Sequence, residues 1–229
     1  EQLYPASLTK VMTALVALKN GNREDVLTAS ANVRITESGA TLSGLKEGDK
    51  MTLDQAVRIL LLQSANDVAI MIAEQYGGTV EHFCEMMNEE AGVIGATNCR
   101  FTNPHGLTDE NHYVTAYDMY LIFNEACKYE LFKEIIGMNA YTTVYYDASG
   151  GEITFDKPST NWYFTGEAVA PAGITVLGGK TGTTTAAGKC LVLLSSDTSG
   201  KSYISVILKS EERGVMYTEM TDLLNVIQK

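Results

Sequence analysis

The sequence predicts an α+β fold in which a helical lobe packs on an antiparallel sheet. Helical patterns dominate the first half of the chain, whereas pairs of antiparallel strands are predicted in the second half. No repeat or linker interrupts the 229 residues, and a hydrophobic content of 45% supplies a substantial core. Because a helical middle followed by late strands is typical of helices that cover an antiparallel sheet, we expect one domain over residues 1–229.

The first predicted helix lies at the start of the chain. Pro5 fits its first turn, and Asn20-Gly21 fits its end. The residues between them are apolar around the whole helix circumference, which is typical of a helix buried inside a domain. Lys10 leads directly into this apolar run, so its amine is expected to be buried.

Turns and short strands are predicted from Ala29 to Lys50, where glycine, serine and threonine are frequent. Helices then resume at a capping box, Thr52-Leu53-Asp54-Gln55, and this helix is expected to end near Gln63. Three more helices are predicted: Asp67 to Gln75, Val80 to Ala91, and one that opens with the capping box Thr115-Ala116-Tyr117-Asp118.

Strand patterns follow in the second half of the chain. Tyr141 to Tyr146 and Glu152 to Phe155 flank a glycine-containing turn and predict a hairpin. Lys189 to Ser195 and Tyr203 to Leu208 predict a second antiparallel pair. Thr218 to Gln228 is expected to close the chain as a helix.

The composition excludes several classes of function. A net charge of -11 repels nucleic acid and anionic lipid over most of the surface. The longest apolar stretches are shorter than the ~20 residues that a membrane span requires. The four cysteines lie far apart with no histidine at metal-ligand spacing, so we expect buried thiols and no metal site. A disulfide between Cys84 and Cys99 is left open.

Three short motifs predict the chemistry: Ser7-Leu8-Thr9-Lys10, Ser64-Ala65-Asn66 and Lys180-Thr181-Gly182. Each motif is weak when taken alone. Other segments also match Ser-x-x-Lys or Ser-x-Asn, namely Ser43-Gly44-Leu45-Lys46, Ser30-Ala31-Asn32 and Ser159-Thr160-Asn161. Taken singly, the serines and the asparagine of the three motifs are equally well explained as helix caps, and the lysines as solvated charges.

The surroundings of each motif separate these candidates. Lys46 lies in a polar turn that cannot desolvate it, whereas Lys10 precedes an apolar helix and can reach Ser7 one turn away. Burial and a second cation, Lys180, would lower the pKa of Lys10 and make it a general base. The helix N-terminus at Ser7 would favour a developing oxyanion.

The other two motifs complete a cleft. Ser64-Ala65-Asn66 lies in a break between two apolar helices, so its side chains can point into a cleft. Gly182 would let a substrate backbone approach along a sheet edge. Lys180 and Thr181 would then offer a charge and a hydroxyl group to a carboxylate.

With these motifs, the sequence resembles the low-molecular-weight penicillin-binding proteins, the serine-type D-alanyl-D-alanine carboxypeptidases, whose signature this trio is. The resemblance covers nearly the whole chain and implies a fold like that of β-lactamases and penicillin-binding proteins. Longer strings that carry it are Pro5 to Ala14, Leu62 to Asp67, Phe101-Thr102-Asn103-Pro104-His105-Gly106-Leu107, Thr115 to Met119 and Gly179 to Gly182.

The resemblance implies a role for each site residue. Ser7 would be the nucleophile, Lys10 its base, and Ser64 a proton relay to the departing D-alanine. The substrate-binding residues would be Asn66, Lys180, Thr181, Gly182 and Thr183. Asn66 would hold the peptide backbone, and Lys180 and Thr181 would bind the terminal carboxylate. The N–H groups of Ser7 and Thr183 would form the oxyanion hole. The substrate would be a peptidoglycan stem peptide, penicillin an inhibitor, and the location extracytoplasmic, in the cell envelope; no cofactor is expected, and membrane association is undetermined.

Two alternatives and one departure accompany this interpretation. A class A β-lactamase shares the motifs, but its Glu-x-x-Leu-Asn loop is absent between the second and third motifs; a non-catalytic protein that binds wall peptides is the other alternative. Family members carry strands ahead of the first motif, whereas six residues precede Ser7 here, so part of the sheet is expected to be missing. We expect His105 to be structural, and His82 and His112 to lie at the surface.

Overall fold

The structure, a computed structural model, describes residues 1–227. Gln228, where the last helix was predicted to end, lies outside the described residues. The helices of the first part are α1 (Thr9–Asn20), α2 (Leu53–Leu62), α3 (Asn66–Gly77), α4 (Val80–Val93), α5 (Ala116–Ala126) and α6 (Glu130–Ile136). Together they form the predicted helical lobe.

Helix α1 lies at the centre of this lobe. Every residue from Thr9 to Ala17 is buried, and the helix contacts α2, α3, α4 and α5. A short 3-10 turn, Ala6–Leu8, precedes it. The prediction of a buried helix that starts near Pro5 and stops at Gly21 is therefore confirmed, with a tighter first turn than an α-helix has.

Local sequence signals fix the ends of the next helices. Thr52 accepts a hydrogen bond from the N–H group of Gln55, and Thr115 does the same for Asp118, which confirms both predicted capping boxes. Helix α3 ends at Gly78, whose φ of 73° favours glycine. Helix α6 was not predicted, because seven residues are too few for a helical period to stand out.

A small sheet flanks the helical lobe and consists of β1 (Val26–Thr28), β2 (Lys50–Thr52), β3 (Ala140–Tyr146) and β4 (Glu152–Pro158), in that order. Strands β3 and β4 form the predicted hairpin, with Thr143 opposite Phe155. The Asp147 carboxylate holds their turn by accepting N–H groups from Ser149 and Gly151. Residues 29–49 contain the predicted turns but not the predicted short strands: a 3-10 helix, Ala31–Val33, lies there, and β2 begins only at Lys50.

The larger sheet consists of β5 (Thr175–Thr184), β6 (Gly188–Ser196) and β7 (Ser202–Ser210), all antiparallel. One face packs on the helical lobe, and the other packs on α8 (Arg213–Val226). A separate apolar cluster, which includes Leu191 and Met220, fills the second interface. Because β5 lies at an edge of the sheet, the third motif has the sheet-edge position that the sequence predicted.

The C-terminal helix differs from its prediction, since α8 begins at Arg213 rather than Thr218. A short helix, α7 (Trp162–Thr165), leads into β5, and Trp162 stacks on Tyr217 of α8 at 4.9 Å between ring centroids. Gly214, a poor helix former, conceals this first turn in the sequence, whereas in the structure buried Met216 and Tyr217 pack it against the sheet. Within residues 1–227, no helix combines the length and apolar character that a membrane crossing needs.

The cysteines are free thiols. Cys84 and Cys190 are buried, as predicted, whereas Cys99 and Cys127 are only partly buried. Burial raises the pKa of Cys84 and of Cys99 to about 12, so both stay protonated and unreactive at neutral pH.

Candidate active site

Ser7 and Lys10 meet at the N-terminal end of α1. Ser7 lies in the 3-10 turn, and Lys10 lies in the first turn of the α-helix. Their spacing of three residues places Lys10 Nζ 3.0 Å from Ser7 Oγ. The Lys10 side chain is fully buried, as its apolar surroundings predicted.

Two acceptors fix the orientation of the Lys10 amine. Nζ donates to Asn66 Oδ1 and to the carbonyl oxygen of His105, each at 2.6 Å. A protonated amine has three N–H donors and no lone pair, whereas the uncharged amine has two donors and one lone pair. When the two donors serve Asn66 and His105, the lone pair of the uncharged amine faces Ser7 Oγ.

The electrostatic surroundings favour that uncharged form. Burial lowers the pKa of Lys10 well below its usual value, and the positive charge of Lys180 lowers it further. The Asp67 carboxylate acts in the opposite direction with a smaller effect. Lys10 therefore has the environment of a general base rather than that of an ion-pair partner.

Ser64-Ala65-Asn66 forms the break between α2 and α3, as predicted. Ser64 has a φ of 68°, a left-handed conformation that costs roughly 1 kcal/mol or more for a residue with a side chain. Asn66 is buried, and while its Oδ1 accepts from Lys10, its Nδ2 group has no hydrogen-bond partner within residues 1–227. That amide N–H group is free to bind a ligand.

Lys180 connects the second motif to the third. It is 1% exposed on strand β5, and its Nζ donates to Ser64 Oγ at 2.9 Å and to the carbonyl oxygen of Thr181 at 2.8 Å. Burial lowers the pKa of Lys180 to about 7, and the nearby Arg213 guanidinium adds to the effect. Two lysines of lowered pKa thus face the two serines of the site.

Gly182 brings β5 against the backbone of residues 5–8. A methyl group on its Cα would lie 3.0 Å from the backbone nitrogen of Ser7 and 3.1 Å from that of Leu8. The close approach that requires glycine here is therefore to the chain itself, whereas a contact of Gly182 with a substrate stays a prediction. Thr183 is the next residue along the edge strand and is exposed.

Arg213 is a residue of this region that the sequence interpretation missed. Its guanidinium donates to the carbonyl oxygen of Thr160 at 2.7 Å and lies 5.1 Å from the centre of the Trp162 ring. The Thr160 hydroxyl is 2.7 Å from that of Thr181. The only sequence signal for Arg213 is that a cation stands at the start of the helix that follows the larger sheet, and no motif marks it.

The other copies of the short motifs have structural roles. The hydroxyl of Ser43 donates to Asp67, whose carboxylate also accepts the N–H groups of residues 43–45, and Lys46 is exposed. Ser30 and Asn161 cap short helices. The choice of Ser7, Lys10, Ser64 and Asn66 over these copies agrees with the hydrogen bonds that join them.

The histidines require one correction. His105 has the structural role expected of it, since its Nδ1 accepts from the N–H group of Leu107. His82 is exposed, as predicted. His112, however, is 1% exposed rather than at the surface: its Nδ1 accepts the N–H group of Thr102, and its Nε2 lies 2.8 Å from Thr9 Oγ1. Burial lowers the pKa of His112 to about 4, so it is neutral and ties the 102–112 loop to α1.

Known proteins match this chain over most of its length. The family model described as D-alanyl-D-alanine carboxypeptidase matches residues 1–212. The D-alanyl-D-alanine carboxypeptidase DacC of Escherichia coli is 32% identical over 98% of this chain and 55% of its own length. DacF of Bacillus subtilis is 36% identical over 60% of this chain and 36% of its own length. The chain thus spans about half the length, or less, of these curated relatives.

A solved structure has the same fold as this chain. The crystal structure of the Streptomyces K15 DD-transpeptidase superimposes with a TM-score of 0.89 and 28% identity over 98% of this chain and 87% of that one. The predicted α+β fold of the penicillin-binding-protein and β-lactamase type is therefore confirmed. The family match over residues 1–212 shows that this chain belongs to the D-alanyl-D-alanine carboxypeptidase family of serine peptidases.

Proposed function

We propose that residues 1–229 form one peptidase domain that removes the terminal D-alanine from peptidoglycan stem peptides through an acyl-enzyme on Ser7. The observation that carries the proposal is the buried Lys10 amine, whose two hydrogen-bond acceptors leave its lone pair facing Ser7 Oγ. Family membership supports the reaction class, and the extracytoplasmic cell envelope is where such a substrate occurs.

Acylation begins with the Ser7 hydroxyl. Ser7 Oγ attacks the carbonyl carbon of the penultimate D-alanine while Lys10 Nζ accepts its proton. The carbonyl oxygen becomes an oxyanion that the N–H groups of Ser7 and Thr183 stabilise. Loss of one such donor costs about 3–4 kcal/mol of transition-state stabilisation in serine peptidases, so both N–H groups must point at the oxyanion.

Collapse of this intermediate breaks the peptide bond. The departing D-alanine nitrogen needs a proton, which Ser64 Oγ supplies from its hydroxyl group. Ser64 in turn takes up the proton that Lys10 Nζ received from Ser7, so Lys10 is uncharged again. Lys180 Nζ, 2.9 Å from Ser64 Oγ, stabilises the charge that develops there. The products are free D-alanine and an ester between Ser7 and the shortened peptide.

Substrate binding uses the remaining site residues. The free Nδ2 group of Asn66 donates to a backbone carbonyl of the peptide. The terminal carboxylate lies against the hydroxyl of Thr181 and the positive charges of Lys180 and Arg213, which together explain specificity for a free C-terminus.

Release of the peptide completes the cycle. Water attacks the ester carbonyl while uncharged Lys10 accepts its proton, and Lys10 then donates that proton to Ser7 Oγ as the ester bond breaks. Penicillin acylates Ser7 in the same way but is released slowly, since the chain lacks a Glu-x-x-Leu-Asn loop between its second and third motifs. A β-lactamase is therefore the less favoured alternative.

The test is acylation followed by mass spectrometry. Penicillin is expected to leave one covalent adduct on the tryptic peptide that contains Ser7, and a peptide ending in D-Ala-D-Ala is expected to release D-alanine. Ser7→Ala should abolish both results, whereas Lys46→Gln, in the other Ser-x-x-Lys segment, should change neither. Release of D-alanine that persists in Ser7→Ala would overturn the assignment, and peptide binding without any release would favour a non-catalytic binding protein.

A second assay tests whether water or a second peptide accepts the acyl group from Ser7. A peptide with a free N-terminal glycine is added to the reaction, and a carboxypeptidase should still give free D-alanine and the shortened peptide as the main products. A ligated product in excess of the hydrolysed one would instead identify a transpeptidase.

A further inference from the structure

The carbonyl oxygen of His105, which accepts from Lys10 Nζ, belongs to a loop rather than to a helix or a strand. The loop spans residues 102–112, between the short β-bridges at Arg100 and Tyr113. A backbone group in a loop is placed less accurately than one in a helix or a strand, unless contacts outside the loop hold it. The orientation of the Lys10 amine therefore depends on what fixes this loop on α1.

The loop contacts α1 and the turn before it on both sides of His105. Thr13 Oγ1 donates to the carbonyl oxygen of Pro104 at 2.6 Å. Gly106, with a φ of 87°, lies so close to the carbonyl group of Ala6 that a methyl group on its Cα would overlap with it. These contacts hold the middle of the loop and leave its start and its end to be held by other bonds.

One histidine ring joins the start and the end of the loop to the helix. His112 Nδ1 accepts the N–H group of Thr102 at 3.1 Å, and its Nε2 lies 2.8 Å from Thr9 Oγ1. Burial lowers the pKa of His112 to about 4, so the ring is neutral. In a neutral ring whose Nδ1 accepts, Nε2 carries the hydrogen atom, so it donates to the Thr9 hydroxyl group. Thr9 is 0% exposed and His112 1%, so water cannot replace this bond when it is lost.

The bond between Thr9 and His112 ends beside the base. Thr9 directly precedes Lys10 in α1, and the other side of the ring binds the loop three residues before His105. Without this bond, a loop shift of about 1 Å would take the His105 carbonyl oxygen out of hydrogen-bond reach of Nζ. One N–H group of the amine would then lose its acceptor, and the lone pair would no longer have a fixed direction.

We propose that His112 and Thr9 are positioning residues for the base, Lys10. Their hydrogen bond keeps the His105 carbonyl oxygen against the amine, which keeps the amine lone pair directed at Ser7 Oγ. The proposal rests on the proposed function, in which Lys10 takes the proton of Ser7. Because the side chains of His112 and Thr9 are buried, their loss should slow acylation without weakening the initial binding of penicillin.

Thr9→Val tests the bond with the least change in shape, because a methyl group replaces the hydroxyl group. Stopped-flow acylation over a range of penicillin concentrations gives the dissociation constant of the initial complex and the rate constant of acylation separately. We expect the rate constant to fall about 10²-fold, as a misplacement of about 1 Å allows, and the dissociation constant to keep its wild-type value. Thr9→Ser keeps the hydroxyl group and is the matched control, whose rate constant should stay close to that of the wild type.

A second background separates positioning from damage to the helix. Lys10→Met removes the amine, so adding Thr9→Val to it should cause no further fall in the slow acylation that remains. Mass spectrometry after long incubation measures this residual rate. If Thr9→Val slows acylation by the same factor with and without the amine, Thr9 does not act through Lys10 and the proposal is wrong.

The other partner of the bond is tested in the same assay. His112→Gln keeps an N–H donor for Thr9, whereas His112→Leu removes it, so His112→Gln should be acylated faster than His112→Leu. Combining His112→Leu with Thr9→Val should slow acylation no more than His112→Leu alone, since both changes remove one bond. If His112→Leu does not fold, the variants of Thr9 decide the question by themselves.

Tyr76→Phe controls for the loss of a hydrogen bond between a helix and a loop, since it removes the bond of 2.9 Å to Asp25, outside the three motifs. This variant should unfold at a lower urea concentration and be acylated at the wild-type rate. If penicillin does not acylate the unaltered protein, the proposed function is wrong and this assignment with it. If the unaltered protein is acylated and Thr9→Val has the same rate constant, the positioning role alone is wrong.

Discussion

The two Ser-x-x-Lys segments of this chain share a spacing but not an environment. Ser7 and Lys10 lie at the start of a buried helix, and the lysine is fully buried. Ser43 and Lys46 lie in a turn, where the serine bonds to Asp67 and the lysine is exposed. A Ser-x-x-Lys segment therefore forms a serine–lysine pair only where the fold desolvates the lysine and supplies acceptors that orient its amine.

The largest difference between the two segments is expected when the serine of each one is replaced by alanine. Ser7→Ala should lower the rate constant of acylation by penicillin at least about 10⁴-fold, because within residues 1–227 Ser7 carries the only hydroxyl bonded to Lys10 Nζ. Ser43→Ala should leave acylation unchanged and lower the free energy of unfolding by about 1 kcal/mol, through the lost bond to Asp67. Stopped-flow acylation and urea unfolding measure the two effects. Equal losses of acylation in both variants would contradict the distinction.

The lysines offer the next largest contrast. Lys10→Met keeps the length and the apolar packing of the side chain but removes the base, so acylation should slow by about 10³-fold, within the range of general-base catalysis. Lys46→Met changes an exposed side chain and should have no effect on acylation. Near-normal acylation in Lys10→Met, with an unchanged circular dichroism spectrum, would show that another group takes the proton.

Each of the two serines has a glycine near it, and replacing these two glycines should have different effects. Gly182→Ala places a methyl group 3.0 Å from the Ser7 nitrogen, so β5 must move away from the oxyanion donor, and acylation should slow by about 10²-fold. Gly44→Ala meets open space, but its φ of 94° makes the folded state less stable by about 1 kcal/mol. Thermal unfolding and acylation rates should therefore separate the two variants cleanly.

The smallest expected effect concerns pH. The proposed mechanism needs uncharged Lys10 and charged Lys180, so the rate of acylation should rise as Lys10 loses its proton and fall as Lys180, whose pKa is about 7, loses its own. Arg213→Gln removes a neighbouring cation, so the pKa of Lys180 should rise and the falling limb of the profile should move to higher pH.

The same substitution should raise KM for D-Ala-D-Ala peptides about tenfold, because one cation no longer attracts the carboxylate. Arg34→Gln, which changes an exposed arginine in the segment before Ser43, serves as the control and should move neither quantity. A falling limb that stays in place in Arg213→Gln would mean that a group other than Lys180 sets it.

Much of this fold could be predicted because the signals are local. The all-apolar helix after Lys10 and the break at Ser64 to Asn66 depend on residues that are close in sequence. Arg213 and His112 could not be predicted, since their partners Thr160 and Thr9 are distant in the chain. The left-handed conformation of Ser64 also has no sequence signature, because tertiary contacts hold it.

The Asp67 carboxylate limits which parts of the site can change in sequence. It accepts the backbone N–H groups of residues 43–45 directly beside Asn66, so the turn is held there whatever residues precede it in the chain. Since these bonds are made by backbone N–H groups, the side chains of the turn can be exchanged while the Asn66 amide that accepts from the Lys10 amine stays fixed.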